Sequence, residues 1–249
     1  MAAIKKKNIS RSSFYVRELP DQTAAYGLYM DGELLSTPNG IPVSANQPRG
    51  LRLMAAELDF SDALDVTGIN QYGMFSTEKE FVVAGRSCMG DELPSTLTHD
   101  VVLTLCSGPE ARYQWEYYSL VIEFLEANNQ KHPCYTQMPS PNWNRNVWSE
   151  DEWETNMRGI ADFVESQLLL FTPSQSSAFM TAMTFLDSPV LALMLVHGKA
   201  SPKEVACLYL LGNCLYSKGF SDVPRRDEKK LLESITKNAE CIRTYVELF

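Results

Sequence analysis

Basic residues are few in this 249-residue chain: 22 lysines and arginines stand against 31 aspartates and glutamates, a net charge of −9. That balance argues against binding to nucleic acid or to an anionic membrane, where affinity comes from clustered lysine and arginine. It suits a basic partner instead. Histidine is rarer still: His99, His132 and His197 are the full set. None keeps metal-ligand spacing with a cysteine, so zinc is not expected. The six cysteines, Cys88, Cys106, Cys134, Cys207, Cys214 and Cys241, include no CxxC pair. With no secretory signal, they read as small buried apolar groups in a reduced compartment.

Catalytic motifs are missing too. Gly85-Arg86-Ser87-Cys88-Met89-Gly90 fits neither GxGxxG nor the P-loop pattern, and no GxSxG or HExxH occurs. His99-Asp100 follows Ser95-Thr96-Leu97-Thr98, which invites a hydroxyl–His–Asp reading. Side chains of adjacent His and Asp diverge, however, and a triad needs hydrogen bonds between its members. The pair reads as a solvent-facing loop. The chain is expected to be no enzyme and to need neither cofactor nor metal.

No apolar run crosses a bilayer uninterrupted. Residues 178–196 approach the length, but Asp187-Ser188-Pro189 lies in their middle. A charge is costly in hydrocarbon and a proline breaks the helical hydrogen bonds. Two packed helices meeting at Pro189 are expected, with no membrane span.

What is present is ordinary globular material, 45% hydrophobic and 21% charged, long enough to bury roughly 70–75% of its unfolded surface. Residues 1–17 carry Lys5, Lys6, Lys7, Arg11 and Arg17 with no acid before Glu18. They read as the remnant of an organelle transit peptide or as a frayed basic arm. Residues 24–30 and 33–37 are apolar segments joined by Asp31-Gly32, a hairpin signal. Asn39-Gly40 marks a second turn before 41–44, completing a three-stranded meander. In 51–58, Leu51, Met54, Ala55 and Leu58 share one helical face. Residues 81–84 and 101–106 have strand-like composition within a loop-rich stretch, 61–109.

From Pro109 the pattern is helical. Trp115, Tyr118, Ile122 and Leu125 form a stripe in 112–129. Gln130 to Trp148 is a proline- and asparagine-rich connection, where Trp143 and Trp148 either meet a partner or anchor the loop. Ser149-Glu150-Asp151-Glu152, Thr172-Pro173-Ser174-Gln175 and Ser201-Pro202-Lys203-Glu204 each read as a helix start. The acidic first start needs no bound cation, since carboxylates favour the positive end of a helix. The wholly apolar Val190–Val196 must be buried. Gly198 closes that helix, with His197 as a cation at its negative end. A last helix, 226–248, would turn Leu231, Leu232, Ile235, Ala239 and Ile242 inward. The expected class is α+β: a β-rich domain over 18–108, then a helical bundle over 109–249.

The order of these pieces resembles the ATP-twelve family, the assembly chaperone for the alpha subunit of the F-type ATP synthase head. Met30-Asp31-Gly32-Glu33-Leu34-Leu35-Ser36-Thr37-Pro38 is similar to its L-D-G-x-x-L-K-T-P hairpin, and Ala55-Ala56-Glu57-Leu58-Asp59 to its A-x-E-W-D without the tryptophan. Phe14-Tyr15 stands where the mature domain opens on an aromatic pair. Tyr118-Ser119-Leu120-Val121-Ile122-Glu123-Phe124 follows W-D-P-I-I-E-W in pattern. Ser188, Val190, Leu191, Leu193, Gly198, Ser201, Glu204 and Val205 follow the apolar helix, glycine and S-x-E segment.

The resemblance implies a non-enzymatic chaperone of the mitochondrial matrix, or of the bacterial cytoplasm if the source is prokaryotic, that shields the free alpha subunit through an exposed apolar patch on the helical half. One departure bears on this. Where the family has an acidic run, including a glutamate linked to chaperone function, this chain reads Leu211-Gly212-Asn213-Cys214-Leu215-Tyr216-Ser217-Lys218-Gly219-Phe220. Leu211, Gly212, Asn213, Tyr216 and Phe220, with Trp143 and Trp148, are the candidate partner-binding residues. The alternative is a structural or assembly component of another large mitochondrial complex that reuses the fold.

Overall fold

The structure, a computed structural model, describes residues 13–20, 24–60, 69–85, 93, 96–103, 118–130, 150–216 and 225–249, with side chains omitted at 150–153, 214–216 and 225–228. The sheet comes first. Strand β1 (Phe14–Glu18) pairs antiparallel along the whole of β2 (Tyr26–Met30). The opposite edge of β2 is shared by β3 (Glu33–Leu34) and β4 (Ser44–Ala45). Asp31 and Gly32 both take positive φ, +52° and +96°, as the two-residue turn between right-twisted strands requires. This corrects the expected meander: β3 pairs with β2 as the hairpin requires, but β4 returns to β2 rather than lining up on β3, with the isolated Ser36–Pro42 bridge between the arms, and β1 adds a fourth strand. Because that strand begins at Phe14, the last residues of the basic segment 1–17 are part of the sheet.

Helix α1 (Pro48–Phe60) follows and buries Leu51, Met54, Ala55 and Leu58, the face expected from their spacing. It lies on β1 and β2. Helix α2 (Gln71–Thr77) is capped by Asn70, whose side chain accepts the Gly73 N–H. It runs directly into a π-helical turn, Glu78–Val82. That turn corrects the strand-like reading of 81–84, and the cause is tertiary. Glu78 is buried and accepts the Tyr245 hydroxyl at 2.7 Å. Glu80, also buried, accepts the backbone and side-chain N–H of Asn39 at 2.8 and 2.9 Å. Two carboxylates must point inward two residues apart, and local β propensity yields to those bonds. Residues 101–103 are likewise a turn rather than a strand.

The helical half consists of α3 (Ser119–Ala127), α4 (Glu150–Leu168), α5 (Pro173–Leu186), α6 (Pro189–Val196), α7 (Pro202–Tyr216) and α8 (Arg225–Leu248). Every residue of α6 is buried, and α3, α4, α5, α7 and α8 all pack on it. Tyr118, Ile122 and Leu125 are buried beside α3 as the stripe required, while Trp115 lies outside the described residues. On α8, Ile235, Ala239 and Ile242 are inward and Leu232 partly so, but Leu231 is exposed. Helix α8 also reaches α1 and α2, so one apolar core runs from the sheet to the last helix. The glycine–aromatic contact at that junction is tight. A Cβ on Gly50 of α1 would stand 2.4 Å from the Phe249 ring, which itself lies 4.9 Å from Tyr245 and 5.8 Å from Phe75.

The start signals at Thr172 and Ser201 form as read. Thr172 Oγ1 accepts the Gln175 N–H while Gln175 Oε1 accepts the Thr172 N–H. Ser201 and Glu204 exchange the same pair of bonds. The Ser201 N–H donated to Glu204 holds that carboxyl below its ordinary range. Helix α4 opens at Glu150; of its acidic start, Glu154 pairs with Arg158 at 3.2 Å. No described helix is long and apolar enough to cross a membrane.

Candidate functional site

Two clusters of polar groups close the two ends of α6. At its start, Ser188 is the N-cap and accepts the Leu191 N–H at 3.1 Å. Its hydroxyl donates to Asp100 Oδ1 at 2.8 Å, and Asp100 Oδ2 accepts the Val190 N–H at 3.3 Å. Asp100 also accepts the Val102 N–H at 3.0 Å. A carboxylate there is electrostatically suited to a helix N-terminus. Burial nevertheless dominates and pushes the Asp100 carboxyl up to about 7, with nearby Asp187 adding to the rise and the bonds from Val102, Ser188 and Val190 opposing it.

This corrects the reading of His99-Asp100 as a solvent-facing loop. His99 is exposed, whereas Asp100 is fully buried and bonds to Ser188 of the distant α6 start. A wholly apolar helix buried at its start needs acceptors for its free N–H groups, but nothing local in the sequence marks Asp100 as one of them.

At the other end, His197 is the C-cap and Gly198 takes φ +65°. Lys199 N–H reaches Met194 O and Gly198 N–H reaches Leu195 O, the paired bonds of a Schellman closure. The cation at this end is not His197. Burial, with Lys199 and Arg243 nearby, holds its imidazole below its ordinary value. Arg243 of α8 takes the role, donating to Val196 O at 2.7 Å and to Glu247 at 3.0 Å.

A third cluster joins α1, α2 and α8. Glu57 accepts the Gln71 N–H at 2.9 Å, and Gln71 Nε2 donates to Cys241 O at 3.0 Å. Burial, then Glu57, pushes the Cys241 thiol up to about 12, so it is a poor nucleophile. Burial also raises the Glu57 carboxyl. Cys207 is exposed, contrary to the reading of the cysteines as uniformly buried.

The candidate partner residues divide. Trp143, Trp148 and Phe220 lie outside the described residues, as does the Tyr216 side chain. Gly212 faces inward: a Cβ there would stand 2.8 Å from both Cβ and O of Val101, whose carbonyl also accepts the Tyr118 hydroxyl at 2.9 Å. Gly212 is therefore a close-approach residue and not a surface one. Leu211 is partly buried against the core, and Asn213 donates to Tyr209 O one turn back on α7. The structure does not gather these three into an exposed site. Exposed apolar side chains of the helical half lie elsewhere, at Leu169 and Leu170, 87% and 77% exposed, and at Leu231.

Fold comparison gives a definite answer. Atp12 from Paracoccus denitrificans superposes with a TM-score of 0.66 at 13% identity, over 95% of each chain. The chain has the Atp12 fold. An aspartate-to-lysine variant of the Paracoccus protein matches with a TM-score of 0.63 at 14% identity. A protein of Agrobacterium tumefaciens named as a candidate chaperone matches equally well, over 94% of this chain and 83% of its own. No protein-family model matches the sequence, and neither does any curated protein. The Atp12 fold is thus kept here with most side chains exchanged.

Proposed function

We propose that this chain is a non-enzymatic assembly chaperone that holds the unassembled alpha subunit of the F-type ATP synthase head and shields its subunit-facing surface. The observation that carries the reading is the Atp12 fold, matched over 95% of both chains. The ATP-twelve pattern in the sequence supports it independently. No nucleotide is required on this reading, because the incoming neighbour subunit displaces the chaperone by mass action. The setting on this reading is the mitochondrial matrix, or the bacterial cytoplasm if the source is prokaryotic.

A second reading has its own support. The 211–220 segment lacks the acidic run that the resemblance would supply, and Gly212 within it is given over to packing against Val101. On that reading the fold serves assembly of another large mitochondrial complex. One experiment separates them. Purified alpha subunit is warmed alone and with an equimolar amount of this chain, and light scattering is followed before and after beta subunit is added. Suppressed aggregation, and release of the chain on adding beta, is the expected result. Unchanged aggregation, with no complex on size exclusion, rejects the alpha-subunit reading in favour of the second.

A further inference from the structure

The elbow between α4 and α5 has an unusual composition for a surface. Leu169 and Leu170 are more exposed than any other large hydrophobic of the helical half among the described residues. They are nevertheless held firmly. Their N–H groups bond to Glu165 O and Gln167 O, and the Phe171 N–H bonds to Leu168 O. Leu168 and Phe171, on either side, pack on the core. Phe171 lies edge-on to Phe179 at 6.0 Å and to His197 at 5.3 Å, and the Thr172 capping box fixes the start of α5. Two leucines are thus displayed on a rigid turn rather than on a loose loop, which lowers the ordering cost of using them.

Behind them on α4, Asp162 and Glu165 are exposed at helical spacing from Leu169, and neither carboxylate has an ion-pair partner among the described residues. Arg158, the nearest described cation along that face, is already paired with Glu154. The face therefore ends in an apolar knob backed by two free negative charges. Its complement is an apolar surface rimmed by lysine or arginine, and like-signed surfaces would be repelled.

We propose that this elbow, Leu169 and Leu170 with Asp162 and Glu165 behind them, docks the client protein through a client surface that is apolar at its centre and basic at its rim. The inference rests on the chaperone reading above and gives it a place on the molecule. Leucine contact supplies affinity, and the carboxylates speed encounter and set orientation.

The test uses the full chain and purified alpha subunit, with affinity and rates followed by biolayer interferometry at several salt concentrations. L169S/L170S is expected to weaken binding by at least about tenfold, mainly through faster dissociation. D162K/E165K is expected to slow association and flatten its salt dependence. Unchanged thermal melts check that both variants fold. If wild type binds while L169S/L170S stays within about twofold of it, the elbow is overturned and the chaperone reading stands. If wild type shows no binding, that reading fails and the elbow assignment fails with it. If sedimentation shows a wild-type dimer that L169S/L170S abolishes, the occupant is a second copy and the client assignment is overturned.

Discussion

The Asp100 carboxylate makes stability depend on pH in a direction opposite to that of a salt-bridged acid. Its carboxyl rises from 3.8 to about 7 on folding, chiefly through burial. The folded state therefore holds a proton that the unfolded chain has already lost between those values. Stability falls as pH rises when the native state binds more protons. The protonated carboxyl's contribution is fully present below pH 3.8 and is lost as pH rises through about 7. At roughly 1.4 kcal/mol per pH unit, the two units between pH 5 and 7 amount to about 3 kcal/mol.

The perturbation is Asp100→Asn, which removes the titration and keeps the shape. The amide leaves the Val190 N–H facing a second donor, a fixed cost of about 1–3 kcal/mol that does not vary with pH. Urea denaturation of both proteins, run from pH 5 to 8.5, isolates the slope because other titrating groups cancel in the difference. The wild type should lose about 3 kcal/mol relative to the variant across that range. A difference that stays constant to within about 1 kcal/mol would show that Asp100 does not titrate as its burial demands.

Gly212→Ala should cost about 1–3 kcal/mol in thermal or urea melts, because the new methyl meets the Val101 backbone, which has no side-chain freedom to yield. A melt unchanged from wild type would mean that α7 is not held at this distance. Gly198→Ala should lose about 1–2 kcal/mol from its positive φ, with the Arg243 guanidinium 3.0 Å from the new Cβ adding to the cost. Thr172→Ala should lose about 1 kcal/mol with the capping box, read by the same melt. Under native conditions at pH 8, Cys207 should be alkylated readily and Cys241 spared, as peptide mass spectrometry would show. Equal labelling of both thiols would contradict the burial of Cys241.

Much of the backbone was legible because its punctuation is local. Asp31-Gly32, Thr172–Gln175, Ser201–Glu204 and Gly198 act on their immediate neighbours, and each does in the structure what its chemistry requires. The α6 helix was legible as buried because it offers water no face. What could not be read was long-range. The π-helical turn exists because Glu78 meets Tyr245, 167 residues away, and Glu80 meets Asn39. Asp100 looked like a loop residue until Ser188 came to it from 88 residues downstream. The surface was harder still. Gly212 and Asn213 were singled out for what their segment lacks, but the packing of α7 on Val101 claims Gly212. Leu169 and Leu170 continue the apolar pattern of α4, and only the placement of the elbow shows that they miss the core.

The two ends of α6 are closed by side chains that the ribosome delivers at very different times. Asp100 is made well before the helix, whereas Arg243, which covers the Val196 carbonyl, is made 47 residues after it. From the moment it is made until α8 follows, then, the most apolar segment of the chain has its start partner but neither its end partner nor the α8 surface on which it lies. Closure of the helical half therefore waits for α8. A form clipped before α8 would leave the Val196 carbonyl without Arg243 and would strip from α6 one of the five helices packed on it, exposing part of an eight-residue segment that offers water no polar face.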